Sequence, residues 1–371
     1  MRLIMRKSKN IIISGGGTGG HVFPAIAIAN ALKLIDPECN ILFVGALGKI
    51  EMEKVPAAGY KIVGLPVAGL QRKITFKNIS FIYKLVKSLK ISKQIIKDFK
   101  PDVVVGVGGY ASGPVLFMAN RKGIPTLIQE QNSYAGITNK ILARKARKIC
   151  VAYDGMDKYF PKNKIILTGN PVRQDLLNKM NNQNEAIGYF GLQNKQTILV
   201  IGGSLGARTI NQSIIADLDK LGTADIQVLW QTGKYYHSNA VDANNNKGYK
   251  NIKVLDFISQ MDLAYACADV IISRAGAGTI SELCLVGKPV ILVPSPNVAE
   301  DHQTKNAMAL ANKKAALLIK DIEAPEMLVK VALELVYDTE KKNELAKNIS
   351  QMALHDSAKS IAEEVIKLIQ E

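Results

Sequence analysis

At 371 residues the chain is too long for one ordinary hydrophobic core, so two domains are expected. Hydrophobic residues at 47% and charged residues at 22% exclude a disordered or membrane-embedded chain and fit a folded soluble protein. A formal net charge of +16 calls for an anionic partner (nucleic acid, a membrane surface or anionic substrates), unless the excess Lys serves solubility alone.

The N-terminal stretch MRLIMRKSKN is basic, but only Ile11 to Ile13 follow before glycines begin. That is too short for the apolar region of a signal peptide. NIIIS then reads as a buried strand, SGGGTGGHVFP as a glycine turn, and HVFPAIAIANALKLI as a helix. NILFVG is a second strand, and its chain runs on into Gly45 to Gly48. ISFIYKLVKSLKISKQIIKDF has helical spacing. The longest uncharged run, Val103 to Asn120, is broken by Gly106, Gly108, Gly109, Gly113 and Pro114. It reads as strand, loop and helix start, not as a transmembrane span, which needs about 20 unbroken apolar residues. PTLIQE and KIILTG complete the first set of strands.

Periodicity is interrupted at GNPVRQDLLNKMNNQNEA, near Pro171 and the polar run Asn181 to Asn184. The alternation then restarts with TILVIGG, IQVLWQTG, NIKVLDF, DVIISRAG and KPVILVPS. Strands and helices in alternation imply parallel sheets covered on both faces. GGTGG at Gly16 to Gly20 and GGSLG at Gly202 to Gly206 echo one another, each after an apolar strand. The reading is α/β, two Rossmann-like doubly wound domains facing a cleft. Residues 1–170 form the first and 171–350 the second, with 351–371 a C-terminal helix able to pack back on the first. A ligand belongs at the carboxyl ends of the strands.

Four cysteines (Cys39, Cys150, Cys267, Cys284) form no CxxC pair and have no His at metal spacing. Reduced, buried thiols and no metal site are expected.

Gly15, Gly17 and Gly20 satisfy GxGxxG. A dinucleotide site also wants an acid at the end of the second strand, and the first one here, Glu51, comes late. No Gly-Lys-Ser/Thr follows, so the loop is not a P-loop. Glycine loops still let backbone N–H groups approach an anion at a helix N-terminus. GVGGYASGP, GGSLGAR and SRAGAGTISE follow the same logic. In the last, Glu282 can accept from the vicinal hydroxyls of a ribose, or can simply sit favourably near a helix N-terminus. His21 suits a general base that takes a proton from an attacking hydroxyl, or a residue that orients the loop. Glu130 is a rival carboxylate.

GGGTGGHVFPAIAIA, GVGGYASGP, QEQNSYAGITNK, GNPVR, GGSLGAR, SRAGAGTISE and DHQTKNA occur in this order between Gly15 and Ala307. Together they resemble the MurG family, the undecaprenyl-diphospho-muramoylpentapeptide β-N-acetylglucosaminyltransferases of bacterial cell-wall synthesis. The resemblance implies the GT-B architecture and a hexosyltransferase that needs no cofactor and no metal. The C-terminal half would bind UDP-GlcNAc and the N-terminal half lipid I. GlcNAc would pass with inversion to the C4 hydroxyl of MurNAc, giving lipid II for peptidoglycan synthesis, cell shape and division. It also carries over donor contacts, at Thr18, Gly19 and Gly20 of the first loop, and at Asn132, Arg173 and Ser204. Ile258 would meet uracil through its backbone, Ala277, Gly278, Thr279, Ile280, Ser281 and Glu282 would form the nucleotide loop, and Gln303 would lie at the sugar. Bland roles stay open: an interdomain ion pair for Arg173, capping for Asn132 and Gln303.

Gln71 to Lys100 carries nine Lys or Arg against one acid, Asp98, interleaved with Ile74, Phe76, Ile79, Phe81 and Ile82. This suits either an anionic membrane surface or a helix with a buried stripe and a solvated Lys face. The resemblance favours peripheral attachment to the cytoplasmic face of the inner membrane, with LARKARK, Leu142 to Lys148, in the same patch. It also admits other cell-wall synthesis and division proteins as partners. A UDP-GlcNAc 2-epimerase-like enzyme would need extra carboxylates at the sugar and has no use for a basic amphipathic face. A nucleic-acid-binding role would leave the glycine loops idle, and the chain has no recognised nucleic-acid-binding motif and few aromatics for stacking, so no nucleic-acid partner is expected.

Overall fold

In a computed structural model, residues 8–67, 77–172, 182–203 and 205–371 are described. The chain divides into two compact units, 1–172 with 356–371, and 173–355.

The first unit alternates strand and helix: β1 (Asn10–Ser14), α1 (Gly19–Ile35), β2 (Asn40–Ala46), α2 (Glu51–Ala57), β3 (Lys61–Leu65), α3 (Lys77–Phe99), β4 (Val103–Gly106), α4 (Ser112–Arg121), β5 (Thr126–Glu130), α5 (Ile137–Ala143), β6 (Lys148–Val151) and β7 (Ile165–Leu167). Its seven strands are ordered β3-β2-β1-β4-β5-β6-β7, with every pair parallel. Period-two alternation sends successive strand residues to opposite faces. Ile11, Ile13, Val103 and Val105 therefore join the core under α1, while Ile12 and Val104 join the one lined by Val115 and Leu116 of α4. Because both faces are covered, the strands read as unbroken apolar runs.

The second unit holds α6 (Gln183–Phe190), β8 (Thr197–Ile201), α7 (Arg208–Ala216), α8 (Leu218–Thr223), β9 (Gln227–Gln231), α9 (His237–Lys247), β10 (Ile252–Leu255), α10 (Met261–Cys267), β11 (Val270–Ser273), α11 (Ala277–Val286), β12 (Val290–Leu292), α12 (His302–Ala311), β13 (Leu317–Leu318), α13 (Ala324–Tyr337) and α14 (Thr339–Ser350). Its parallel sheet runs β10-β9-β8-β11-β12-β13. The last helix, α15 (Ser357–Gln370), belongs to the first unit. It packs on α1 and buries Ile361, Ala362, Val365 and Leu368 in that core.

Three strands escape the sequence pattern. β3 is partly exposed and carries Gly64, β6 has four residues and opens on Lys148, and β13 has two residues. Among the described residues no helix is long and apolar enough to cross a membrane.

Candidate functional site

In the first unit, the loops after β1, β2, β4 and β5 gather at the carboxyl ends of the strands. Gly16 (φ +144°) and Gly17 (φ +94°) form the turn before α1, and Gly108 (φ +92°) and Gly109 (φ +79°) form the one before α4. Gly16 N donates to Gly108 O at 3.3 Å. A Cβ on Gly109 would fall 2.2 Å from Gly16 O, and one on Gly108 would fall 2.7 Å from the His21 ring. These glycines are required by close approach of two loops, not by the turns alone.

His21 lies in the first turn of α1, half-buried, with Nδ1 3.2 Å from Thr18 Oγ1. With the Nδ1 proton donated to that hydroxyl, Nε2 carries the lone pair and can accept a proton. Gly19 and Gly20 open the helix, and no acid occupies its first turn. The sequence suggested that the glycine N–H groups of this loop cradle an external anion. For Gly17 the structure corrects this, because its N–H donates to the buried carboxylate of Glu51 at 3.0 and 2.9 Å.

Glu130 ends β5 and is buried. Its Oε1 accepts from Asn132 N (3.1 Å) and Asn132 Nδ2 (3.3 Å), and its Oε2 from Gly136 N (3.0 Å) and Asn139 Nδ2 (2.8 Å). Burial pushes its pKa up, against the opposing pull of these donors. The carboxylate thus organises the loop that presents Asn132. Beside it, Gln129, Gln131 and Asn170 form a buried amide ring. Gln129 Nε2 donates to Asn170 Oδ1 at 3.0 Å, Asn170 Nδ2 to Gln131 O at 2.9 Å, and Gln131 Nε2 to Gln129 Oε1.

On the outside of this unit, α3 packs on α4 and α4 on α5. Among the described side chains of α3, Ser88, Ser92 and Ile96 are buried, whereas Ile82, Tyr83, Leu85 and Val86 are exposed. Ile82, Tyr83 and Val86 of α3, Phe117 of α4, and Ile137 and Ile141 of α5 are all exposed, Tyr83 by 66% and Ile141 by 69%. Exposed Lys87, Lys90, Arg144 and Lys145 accompany them. The part of the basic segment at 71–76 lies outside the described residues.

In the second unit, Gly276 caps α11, and Ala277 to Glu282 form its first turns. Ile280 turns into the core, so among the candidate donor contacts it can offer only backbone. Ser281 and Glu282 are half-buried at the surface of the helix start, and Ser281 Oγ donates to Ala277 O at 3.1 Å. Gln303 joins two loops, since its Oε1 accepts from Ala275 N (3.3 Å) and Ser295 N (2.9 Å). Two N–H donors fix which end of the amide is oxygen. Ile258 is also buried, and lines a pocket of about 490 Å³ with Tyr189, Phe190, Lys253 and Phe257. Arg173 and Ser204 lie outside the described residues.

Sequence reading missed the tie that holds these loops together. Arg274 Nη1 donates to Val293 O (3.0 Å), Pro294 O (3.3 Å) and Asp321 Oδ1, and Asp321 Oδ2 accepts from Thr209 Oγ1 (2.8 Å). One ion pair therefore links the chain after β11, β12 and β13 to the start of α7. The only signal for it was an Arg inside a glycine loop, and its acid partner is 47 positions away.

Two parallel-sheet Rossmann-like units with glycine loops at their strand ends are the units of the GT-B architecture. The N-terminal domain of glycosyltransferase family 28 matches residues 11–151, and the C-terminal domain of that family matches residues 197–364. A Bacteroides fragilis protein is 61% identical over 97% of this chain and 96% of its own length, and a Phocaeicola vulgatus protein is 62% identical over 98% and 97%. Both are named UDP-N-acetylglucosamine--N-acetylmuramyl-(pentapeptide) pyrophosphoryl-undecaprenol N-acetylglucosamine transferase. The crystal structure of Acinetobacter baumannii MurG superposes with a TM-score of 0.79 at 29% identity, covering 97% of this chain and 99% of that one. The chain belongs to glycosyltransferase family 28.

Proposed function

We propose that this protein transfers GlcNAc from UDP-GlcNAc to the C4 hydroxyl of MurNAc in lipid I, forming lipid II. The observation that carries this is near-full-length similarity, at 61% identity, to a protein named for that transfer.

The acceptor oxygen attacks the anomeric carbon on the face opposite UDP. The bond from that carbon to the β-phosphate oxygen breaks, and its electron pair leaves with UDP. Inversion follows from the single displacement. The hydroxyl proton passes to Nε2 of His21, whose ring is oriented by Thr18. A positioned base of this kind contributes about 10²- to 10⁴-fold. Glu130 acts by shaping the Asn132 loop, since four donors converge on its oxygens. Thr18, Gly19, Gly20 and Asn132 meet the transferred sugar.

The second unit takes the nucleotide. Ala277 to Glu282 sit at a helix N-terminus, where partial positive charge favours phosphates. The Glu282 carboxylate accepts from the ribose hydroxyls, and the Gln303 NH2 group donates to the sugar. Arg173 and Ser204 stabilise the departing diphosphate, with no metal ion required. Ile258 holds uracil through its backbone.

The exposed apolar face of α3, α4 and α5, with its Lys and Arg, docks peripherally on the anionic cytoplasmic leaflet, where a lipid-linked acceptor resides. Incubating the purified protein with UDP-GlcNAc, a short-chain lipid I analogue and a chelator is expected to give the lipid-linked disaccharide. A folded protein that makes none overturns the proposal.

A further inference from the structure

Glu51 begins α2 behind the end of β2, and it is 1% exposed. Both of its oxygens accept from Gly17 N, and Oε1 also accepts from Ala46 N at 2.8 Å. Among the described residues no ion pair to a Lys, Arg or His accompanies these bonds. Burying a carboxylate without a cation is costly, so the backbone donors around it matter.

The surrounding chain is built to admit this group. A Cβ on Gly16 would fall 2.1 Å from Glu51 Oε1, and one on Gly45 would fall 2.5 Å from Glu51 Cγ. In a dinucleotide-binding fold the glycine loop holds a pyrophosphate and an acid after the second strand holds a ribose. Here that acid folds back and fills the loop from within.

We propose that Glu51 is a positioning residue of the transfer reaction. It fixes Gly17, and thereby Thr18 and the start of α1, so that the His21 ring lies against Gly108 with Nε2 presented to the acceptor hydroxyl. By occupying the Gly17 N–H it also gives the first unit a preorganised loop in place of a nucleotide site. The inference rests on the reading of His21 as the base.

The test compares wild type, Glu51→Gln, Glu51→Ala and His21→Ala, all full-length, with UDP-GlcNAc and the lipid I analogue. Misplacing a catalytic group by about 1 Å costs roughly 100-fold, so kcat of both Glu51 variants should fall by about 10- to 100-fold. UDP affinity, measured by calorimetry, should stay within about twofold, as expected for nucleotide held by the second unit. Formate, which fits the space left in Glu51→Ala, should restore its turnover in a concentration-dependent way and do nothing for His21→Ala. The near-isosteric Glu51→Gln carries the test if Glu51→Ala does not fold. The inference is overturned by wild-type turnover in Glu51→Gln, by UDP affinity that falls in step with turnover, or by a folded Glu51→Ala that is deaf to formate. Product missing from wild type counts against the transferase reading, whereas product lost only in the variants counts for Glu51.

Discussion

The two units repeat one sequence device, a glycine turn after a buried first strand, and complete it with different partners. In the first unit Gly17 N–H ends on a carboxylate of the same chain, Glu51. In the second unit, Gly203 O accepts from Gly206 N (3.0 Å) and from Gln231 Nε2 (3.1 Å), both neutral donors. A loop that already holds an anion is suited to aiming a side chain. A loop closed by neutral groups, next to a helix N-terminus, is suited to receiving a phosphate. The echo GGTGG and GGSLG thus marks a common strand-to-helix turn that is closed by different partners.

That contrast can be broken by experiment, starting where the effect is largest. His21→Ala should cut kcat by about 10²- to 10⁴-fold while leaving UDP affinity within about twofold. A loss of affinity equal to the loss of turnover would dissolve the division between the units. Asp321→Ala should do the reverse. Removing it strands the Arg274 guanidinium, which is 15% exposed. Losing one partner of a partly buried pair is expected to cost about 2 kcal/mol of stability, and the loosened loops should weaken UDP binding by about tenfold. Thermal unfolding and calorimetry check both, and an unchanged Kd would separate the ion pair from donor binding. Glu282→Ala should weaken UDP binding by about fivefold, about 1 kcal/mol for a charge-assisted hydrogen bond at a half-exposed site, with kcat nearly intact. Ile141→Glu, confined to the outer face of the first unit, should reduce retention on anionic vesicles by about fivefold and leave turnover of a short-chain acceptor unchanged. Equal retention would remove α5 from the docking face.

The smallest effect treats both units alike. Burial raises the thiol pKa of Cys150 and Cys284 to about 12 and that of Cys267 to about 11. Native protein at pH 8 should therefore resist iodoacetamide at all three. Because the unfolded thiols ionise first, the stability they contribute is present below the ordinary thiol pKa of about 8.5 and is lost as pH rises above it. Unfolding titrations that show no decline above pH 9 would contradict this burial.

The sequence by itself determined the two α/β units, because strands buried on both faces must be continuous apolar runs, and those runs survive in Ile11 to Ile13, Val103 to Val105 and Thr197 to Ile201. It also marked the glycine loops, since positive φ and close approach admit few other residues. The half-exposed strand Lys61–Leu65 stayed hidden, because a partly solvated edge tolerates Lys and Gly and loses the pattern. Only tertiary structure decided what fills the loops. Glu51 looked like a misplaced ribose ligand by its distance along the chain, yet it meets Gly17 N across 34 positions. Arg274 and Asp321 meet across 47. Spacing along the chain carries information about local geometry. The partner of a buried charge is chosen by whichever donors the packed sheet ends bring together, and that is written in no short stretch of sequence.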